Sequence, residues 1–167
     1  ERIGFVGKYI EHVLNKYEFR RDNWLGDFSD GLEDFSCLYE LSLRDVERCI
    51  ALCACAQPLS IGGMLSAYLI GLKVVRPSIF DGITRADKEI HQSCRNLIIE
   101  YLQRISEENQ RRRRRLSIIE AWHRVAMSGF TASDDDLNNY MSSFGAYGMM
   151  PKRLTTNILS RIDLSVT

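Results

Sequence analysis

At 167 residues the chain is long enough for one domain with a real core, or for a large piece of a longer protein. Its 22 basic and 22 acidic residues balance, which removes any global electrostatic drive towards nucleic acid or an anionic membrane. A hydrophobic content of 45% with 26% charged residues is ordinary for a soluble globular chain.

The chain opens on Glu1 and passes at once into an apolar pattern, so a fragment of a larger protein is expected. Ile3, Val6, Tyr9, Ile10, Val13, Leu14 and Tyr17 recur at helical spacing and predict a first helix. From Phe19 to Glu40 the acidic stretch "GDFSDGLEDFS" mixes Gly, Asp, Ser and Phe and reads as a loop, its aromatics Trp24, Phe28 and Phe35 tucked against the domain. Calcium is a candidate for these carboxylates, but the periodic oxygen ligands and terminal Glu of an EF-hand are missing, and a solvated loop accounts for them better.

A second helix starts at "LSLRD", where Ser42 is the N-cap and Asp45, three residues on, completes a near capping box. It runs to about Ala56, before Pro58. A third helix, capped by Ser60, runs from Ile61 to about Val75 and stops at Pro77. A short helical turn around "SIFDGI" follows. The next helix carries Ile90, Cys94, Leu97, Ile98, Tyr101 and Ile105 on one face.

"SEENQRRRRR" has no apolar residue, and "LSIIEAWHRVAM" then resumes the helical pattern with Leu116, Ile119, Trp122 and Ala126. Glu107 with Arg111, and Glu108 with Arg112, have the i,i+4 order that favours a helix continuous or only briefly broken. After Gly129, "TASDDDLNNYMSSF" reads as a capped helix whose first-turn carboxylates suit the dipole, "GAYGMMP" as a loop, and "KRLTTNILSRIDL" as a last, weaker helix. The expected fold is all-α: an irregular bundle of about six helices, with one long helix or helix pair spanning roughly residues 85–128.

The five cysteines (Cys37, Cys49, Cys53, Cys55, Cys94) are odd in number, and three fall in one helix, which fits a reducing compartment. Cys49 and Cys53 lie one helical turn apart, but no second Cys or His pair follows at zinc spacing; buried thiols are expected and no metal site. No signal peptide is visible. The most apolar run, "IGGMLSAYLIGLKVV", is shorter than the ~20 residues that span a bilayer. Walker, HExxH and GxSxG motifs are missing, so no catalytic residue is assigned.

Two arginine groups remain. Arg111, Arg112, Arg113, Arg114 and Arg115 could grip nucleic-acid phosphates, anionic headgroups or an acidic partner. Yet five in a row wrap around a helix and no aromatics interleave, so a solvated helical bridge is the simpler account. In the Ser42-capped helix, Leu43, Val46, Ile50, Cys53 and Ala54 form the expected core stripe. Arg44 and Arg48 fall on a flank with Ala51 and Cys55. There they could bind an anion, phosphate above all, or pair with Asp45, Glu47 or the preceding acidic stretch; composition favours pairing.

"RDVER", after an amphipathic helix and a loop, resembles the "PRD-x-x-R" segment that follows the nucleotide-binding core of KAP-type P-loop NTPases. Arg44, Asp45 and Arg48 match, and Leu43 stands where the family has proline. "LIGLKVVRPSIFDGI" is similar to the family's "L-x-x-L-K-x-x-x-P-x-x-F/Y". The resemblance spans roughly Ile3 to Ile83. It implies that residues 1–83 form a helical lid-like region after an NTPase core, with residues 84–167 a C-terminal helical extension packed on it. It also implies Arg44 as the residue that senses the γ-phosphate, with Arg48 in support. The parent would use ATP and Mg, while this chain, lacking Walker motifs, would hold no cofactor and be inert alone. The implied partner is the upstream NTPase domain of the same protein. The implied location is cytoplasmic, with any membrane association made by other parts of the parent. Family members that act in phage exclusion imply a signalling or antiviral defence context. The alternative is a helical module that binds nucleic acid or an acidic protein through Arg111–Arg115, or one that oligomerises along the long helix.

Overall fold

The computed structural model describes residues 2–19, 22–56, 62–131, 135 and 151–164. Among these the chain is all-α, with no strand. The eight helices among the described residues are α1 (Arg2–Leu14), α2 (Asn23–Tyr39), α3 (Leu43–Cys55), α4 (Gly63–Val75), α5 (Pro77–Thr84), α6 (Lys88–Arg104), α7 (Gln110–Met127) and α8 (Pro151–Leu164). The expected Ser60 cap and the helix over 131–144 lie outside the described residues, Thr131 and Asp135 apart.

Helix α4 is the axis. Every residue from Gly63 to Leu72 is buried, as expected of a helix apolar on all sides. None of the described helices is long and apolar enough to cross a membrane. Helices α2, α3, α5 and α8 pack on α4, and α1 covers α2 and α3. Leu154, Ile158 and Ile162 dock α8 at i,i+4 spacing, and one continuous core runs from Val6 to Ile162. Pro77, expected to stop one helix, also starts the next: it is the N1 residue of α5, where its fixed φ is already helical and its missing N–H costs nothing.

The acidic stretch after Phe19 is a 17-residue helix rather than a loop. Asp22 caps it, its carboxylate accepting from the Leu25 N–H at 3.1 Å. Leu25, Phe28, Leu32, Phe35 and Leu38 line its buried face. Gly26, Gly31 and four carboxylates mask that 3.6-residue period in the sequence. The glycines have a packing reason instead of a loop reason. A Cβ on Gly31 would come within 3.0 Å of the Met64 Cα, and one on Gly63 within 2.4 Å of the Trp24 carbonyl, so α2 and α4 meet nearly backbone to backbone.

The long segment is a helix pair. Residues 105–109 turn, and α7 folds back antiparallel on α6, bringing His91 to His123 and Arg95 to Glu120. The apolar faces that an intermolecular seam would use are buried within the chain, with Ile98, Leu116, Ile119 and Trp122 in the shared core.

Candidate functional site

Helix α3 is capped as its sequence requires. The Ser42 hydroxyl accepts from the Asp45 N–H at 3.2 Å, and Asp45 Oδ2 accepts from the Ser42 N–H at 3.3 Å. The Ser42 hydroxyl also donates to Asp45 Oδ2 at 2.7 Å, and this bond first, then the Ser42 N–H and Arg48, hold the Asp45 carboxyl below its ordinary value. Val46, Cys49, Ile50 and Cys53 are the buried face. Leu43, expected in the core, is 38% exposed, and Cys49, not placed in the expected stripe, is fully buried. Ala54 is half-buried and Cys55 is exposed. No disulfide forms among the described residues; Cys49, Cys53 and Cys94 are buried and Cys37 half-buried.

Arg48 lies 3.4 Å from Asp45, the intrahelical pairing that composition favours. Arg44 is exposed and makes no hydrogen bond or ion pair among the described residues. On the adjoining side, Tyr9 of α1 donates to Glu47 of α3 at 2.6 Å, and Phe5, 57% exposed, stacks on Tyr9 one turn earlier. This corner of the molecule therefore shows Arg44, Arg48, Leu43 and Phe5 to solvent.

The five-arginine run is placed quite differently. Arg112 and Arg115 turn inward onto Asp34 of α2, which is only 2% exposed. Arg112 Nε donates to Asp34 Oδ1 at 2.9 Å, and Arg115 grips both carboxylate oxygens through Nε (2.5 Å) and Nη2 (2.9 Å). Glu33 adds a longer contact to Arg112 at 3.4 Å. Arg113 donates to the Leu102 carbonyl at 2.7 Å and so closes the C-terminus of α6, where a cation suits the dipole. Arg111 and Arg114 are exposed.

The expected pairing of Arg112 with Glu108 thus gives way to a buried clamp. The turn at 105–109 removes Glu107 and Glu108 from helical register, and the acidic stretch expected to be solvated supplies the partner. Burial pushes the Asp34 carboxyl up from its ordinary range, while hydrogen bonds and charge from Arg115, then Arg112, act against it. The ionised form fits the geometry, since a neutral acid would leave Arg112 and Arg115 only their longer contacts to Glu33 and Asp30. Arg112 Nη1 is buried with no hydrogen-bond partner among the described residues.

Around the clamp, a polar groove of about 510 Å³ is bordered by Asp30, Glu33, Glu108, Gln110 and Arg111. A second, of about 540 Å³, lies between α1 and α2 beside Lys8, Glu11, His12, Asp30 and Glu33. Both mix charges of either sign. No group of three metal-ligating side chains converges among the described residues.

One site escaped the sequence altogether. His91 of α6 and His123 of α7 meet in the core, Nδ1 to Nδ1 at 2.8 Å, and His123 Nε2 meets the Tyr68 hydroxyl of α4 at 2.7 Å. In the sequence these histidines are merely scattered, 32 residues apart, and only the hairpin joins them. No family model matches the chain, and neither a curated protein nor a solved structure matches it.

Proposed function

We propose that this chain is the helical lid and interaction region of a P-loop ATPase, non-catalytic alone, which couples nucleotide state to a partner by presenting Arg44 to a phosphate held by the upstream domain. The reading rests on the resemblance of "RDVER" to the KAP-type segment, and one observation carries it physically. Arg44 is an exposed cation in the first turn of a capped helix, at the positive end of the dipole, without a partner among the described residues. Arg48 has Asp45, Arg112 and Arg115 have Asp34, and Arg113 has the end of α6. A mildly unfavourable charge left uncompensated among the described residues is suited to an anion from outside, and a guanidinium fork matches phosphate oxygens.

Phosphoryl chemistry, ATP and Mg would belong to the parent's core, and a defence context follows only from the family resembled. The test is Arg44→Ala in the intact parent protein. ATP turnover should fall by at least about tenfold, the usual scale for a lost charge-assisted contact in a transition state, with thermal stability unchanged. Turnover equal to that of the parent protein removes this role.

The alternative, a nucleic-acid module using the arginine run, is less well supported by the geometry. Arg112, Arg113 and Arg115 already have partners inside the fold, which reduces the phosphate contacts the run can make.

A further inference from the structure

The α6–α7 hairpin is fastened at both ends by polar devices, a carboxylate–guanidinium clamp at one and an imidazole chain at the other. Its turn end is held to α2 by the Asp34 clamp. Its open end is held to α4 by the buried chain Tyr68–His123–His91. Trp122 lies edge-on to His91 and Tyr68 and donates its indole N–H to Thr155 of α8 at 2.8 Å, so α8 is docked on the same end.

A hydrogen bond between two Nδ1 atoms needs one proton between them. Two imidazolium rings would place two N–H groups head to head at 2.8 Å. A single added proton keeps the bond but puts a charge among Trp122, Tyr68 and the core. The groups around the chain give that charge little support. Tyr68 of α4 meets His123, Tyr39 of α2 and Cys94 of α6 lie against the Tyr68 hydroxyl, and Asp87, the N-cap of α6, acts on His91. Asp87 is the one carboxylate among them, and it already accepts from the Glu89 and Ile90 N–H groups. Once exposed to water, both imidazoles regain an ordinary affinity for protons near neutrality.

We propose that the Tyr68–His123–His91 chain is a proton-operated latch: mild acidification protonates the two imidazoles and releases the open end of the α6–α7 hairpin from α4, while the Asp34 clamp keeps the turn end docked. Burial lowers the proton affinity of His123 strongly and of His91 less so, with Asp87 acting in the opposite direction on His91, which agrees with a closed state that excludes the proton. Protonation is therefore linked to opening, and the clamp confines the movement to one end.

Amide hydrogen exchange on the protein at about pH 7.5 and about pH 5 tests this. After correction for intrinsic rates, residues 91–97 and 119–126 should exchange roughly tenfold faster, or more, at the lower pH, since each unit of lowered proton affinity is worth a factor of ten. Residues 31–38 and 112–116 should keep their protection. Equal protection at both pH values, or a loss spread evenly over the chain, overturns the latch. In His91→Gln with His123→Gln the acid response should vanish, and its persistence in a folded variant also overturns it. Should that pair of substitutions unfold the chain, the exchange pattern of the unsubstituted protein decides by itself.

Discussion

Arg115 of α7 grips Asp34 of α2 with two parallel hydrogen bonds, at 2.5 and 2.9 Å, and the carboxylate itself is buried. An ion pair exposed on a surface contributes little, but removing one partner of a buried pair leaves an uncompensated charge. Asp34→Asn should therefore destabilise the protein by about 3–5 kcal/mol, read as a lower denaturation midpoint in urea. A loss under about 1 kcal/mol would show that water reaches the clamp.

The same geometry divides the arginine run. Arg111→Gln with Arg114→Gln should leave the thermal midpoint nearly unchanged, since both side chains are exposed. Arg112→Gln with Arg115→Gln should lower it sharply. If the run instead serves nucleic acid, the exposed pair would abolish a salt-sensitive binding while the midpoint stayed put, which a titration at two salt concentrations reads directly.

Two glycines in neighbouring helices should respond in opposite directions. Gly63→Ala drives a methyl group to 2.4 Å from the Trp24 carbonyl, where only backbone can yield, and should cost about 1–3 kcal/mol. Gly26→Ala meets nothing within 4 Å on the outer face of α2. It should stabilise by about 0.5–1 kcal/mol, because alanine loses less backbone entropy in a helix. Chemical denaturation of the two variants side by side checks both signs.

Stability should depend on pH through the buried imidazoles. Burial lowers the pKa of His123 well below its ordinary value and that of His91 in the same direction. The unfolded chain therefore binds more protons below about pH 6.5. Their stabilising effect is complete above that value and is lost as the pH falls from it towards the lowered native values. Each unit of depression is worth about 1.4 kcal/mol. Thermal midpoints measured from about pH 8 to about pH 5 should fall below neutrality, and the slope should flatten in His91→Gln.

Ser42→Ala removes one half of a complete capping box and should cost about 1 kcal/mol. The Asp45 carboxyl, held low chiefly by that hydroxyl, stabilises the fold above its unfolded value of about 3.9, an effect lost as the pH falls through the lowered native value. In Ser42→Ala the acid limb of the stability profile should become shallower. An unchanged limb would mean that the Ser42 N–H and Arg48 set the carboxyl without the hydroxyl.

Where a helix is declared by neighbouring residues, the sequence was enough. Ser42 and Asp45 announce the start of α3, Pro77 separates α4 from α5, and the apolar periods of α1, α6 and α7 predict an all-α chain, as found. These are interactions across three or four residues, and their chemistry is written in adjacent letters. Helix α2 was hidden because its glycines and carboxylates serve contacts with other helices: Gly31 makes room for α4, and Asp34 answers Arg112 and Arg115 from 78 and 81 residues away. The run of five arginines could be seen in the sequence, but its division into two residues of one clamp, one helix closure and two exposed cations could not. Nor could the meeting of His91 with His123. Sequence spacing fixes which face of its own helix a side chain occupies; only the packing of helices decides which distant charge or ring that face meets. Since a charge in the core is stable only beside its partner, the tertiary structure determined which of this chain's polar residues are fastenings and which, like Arg44, are left open to solvent.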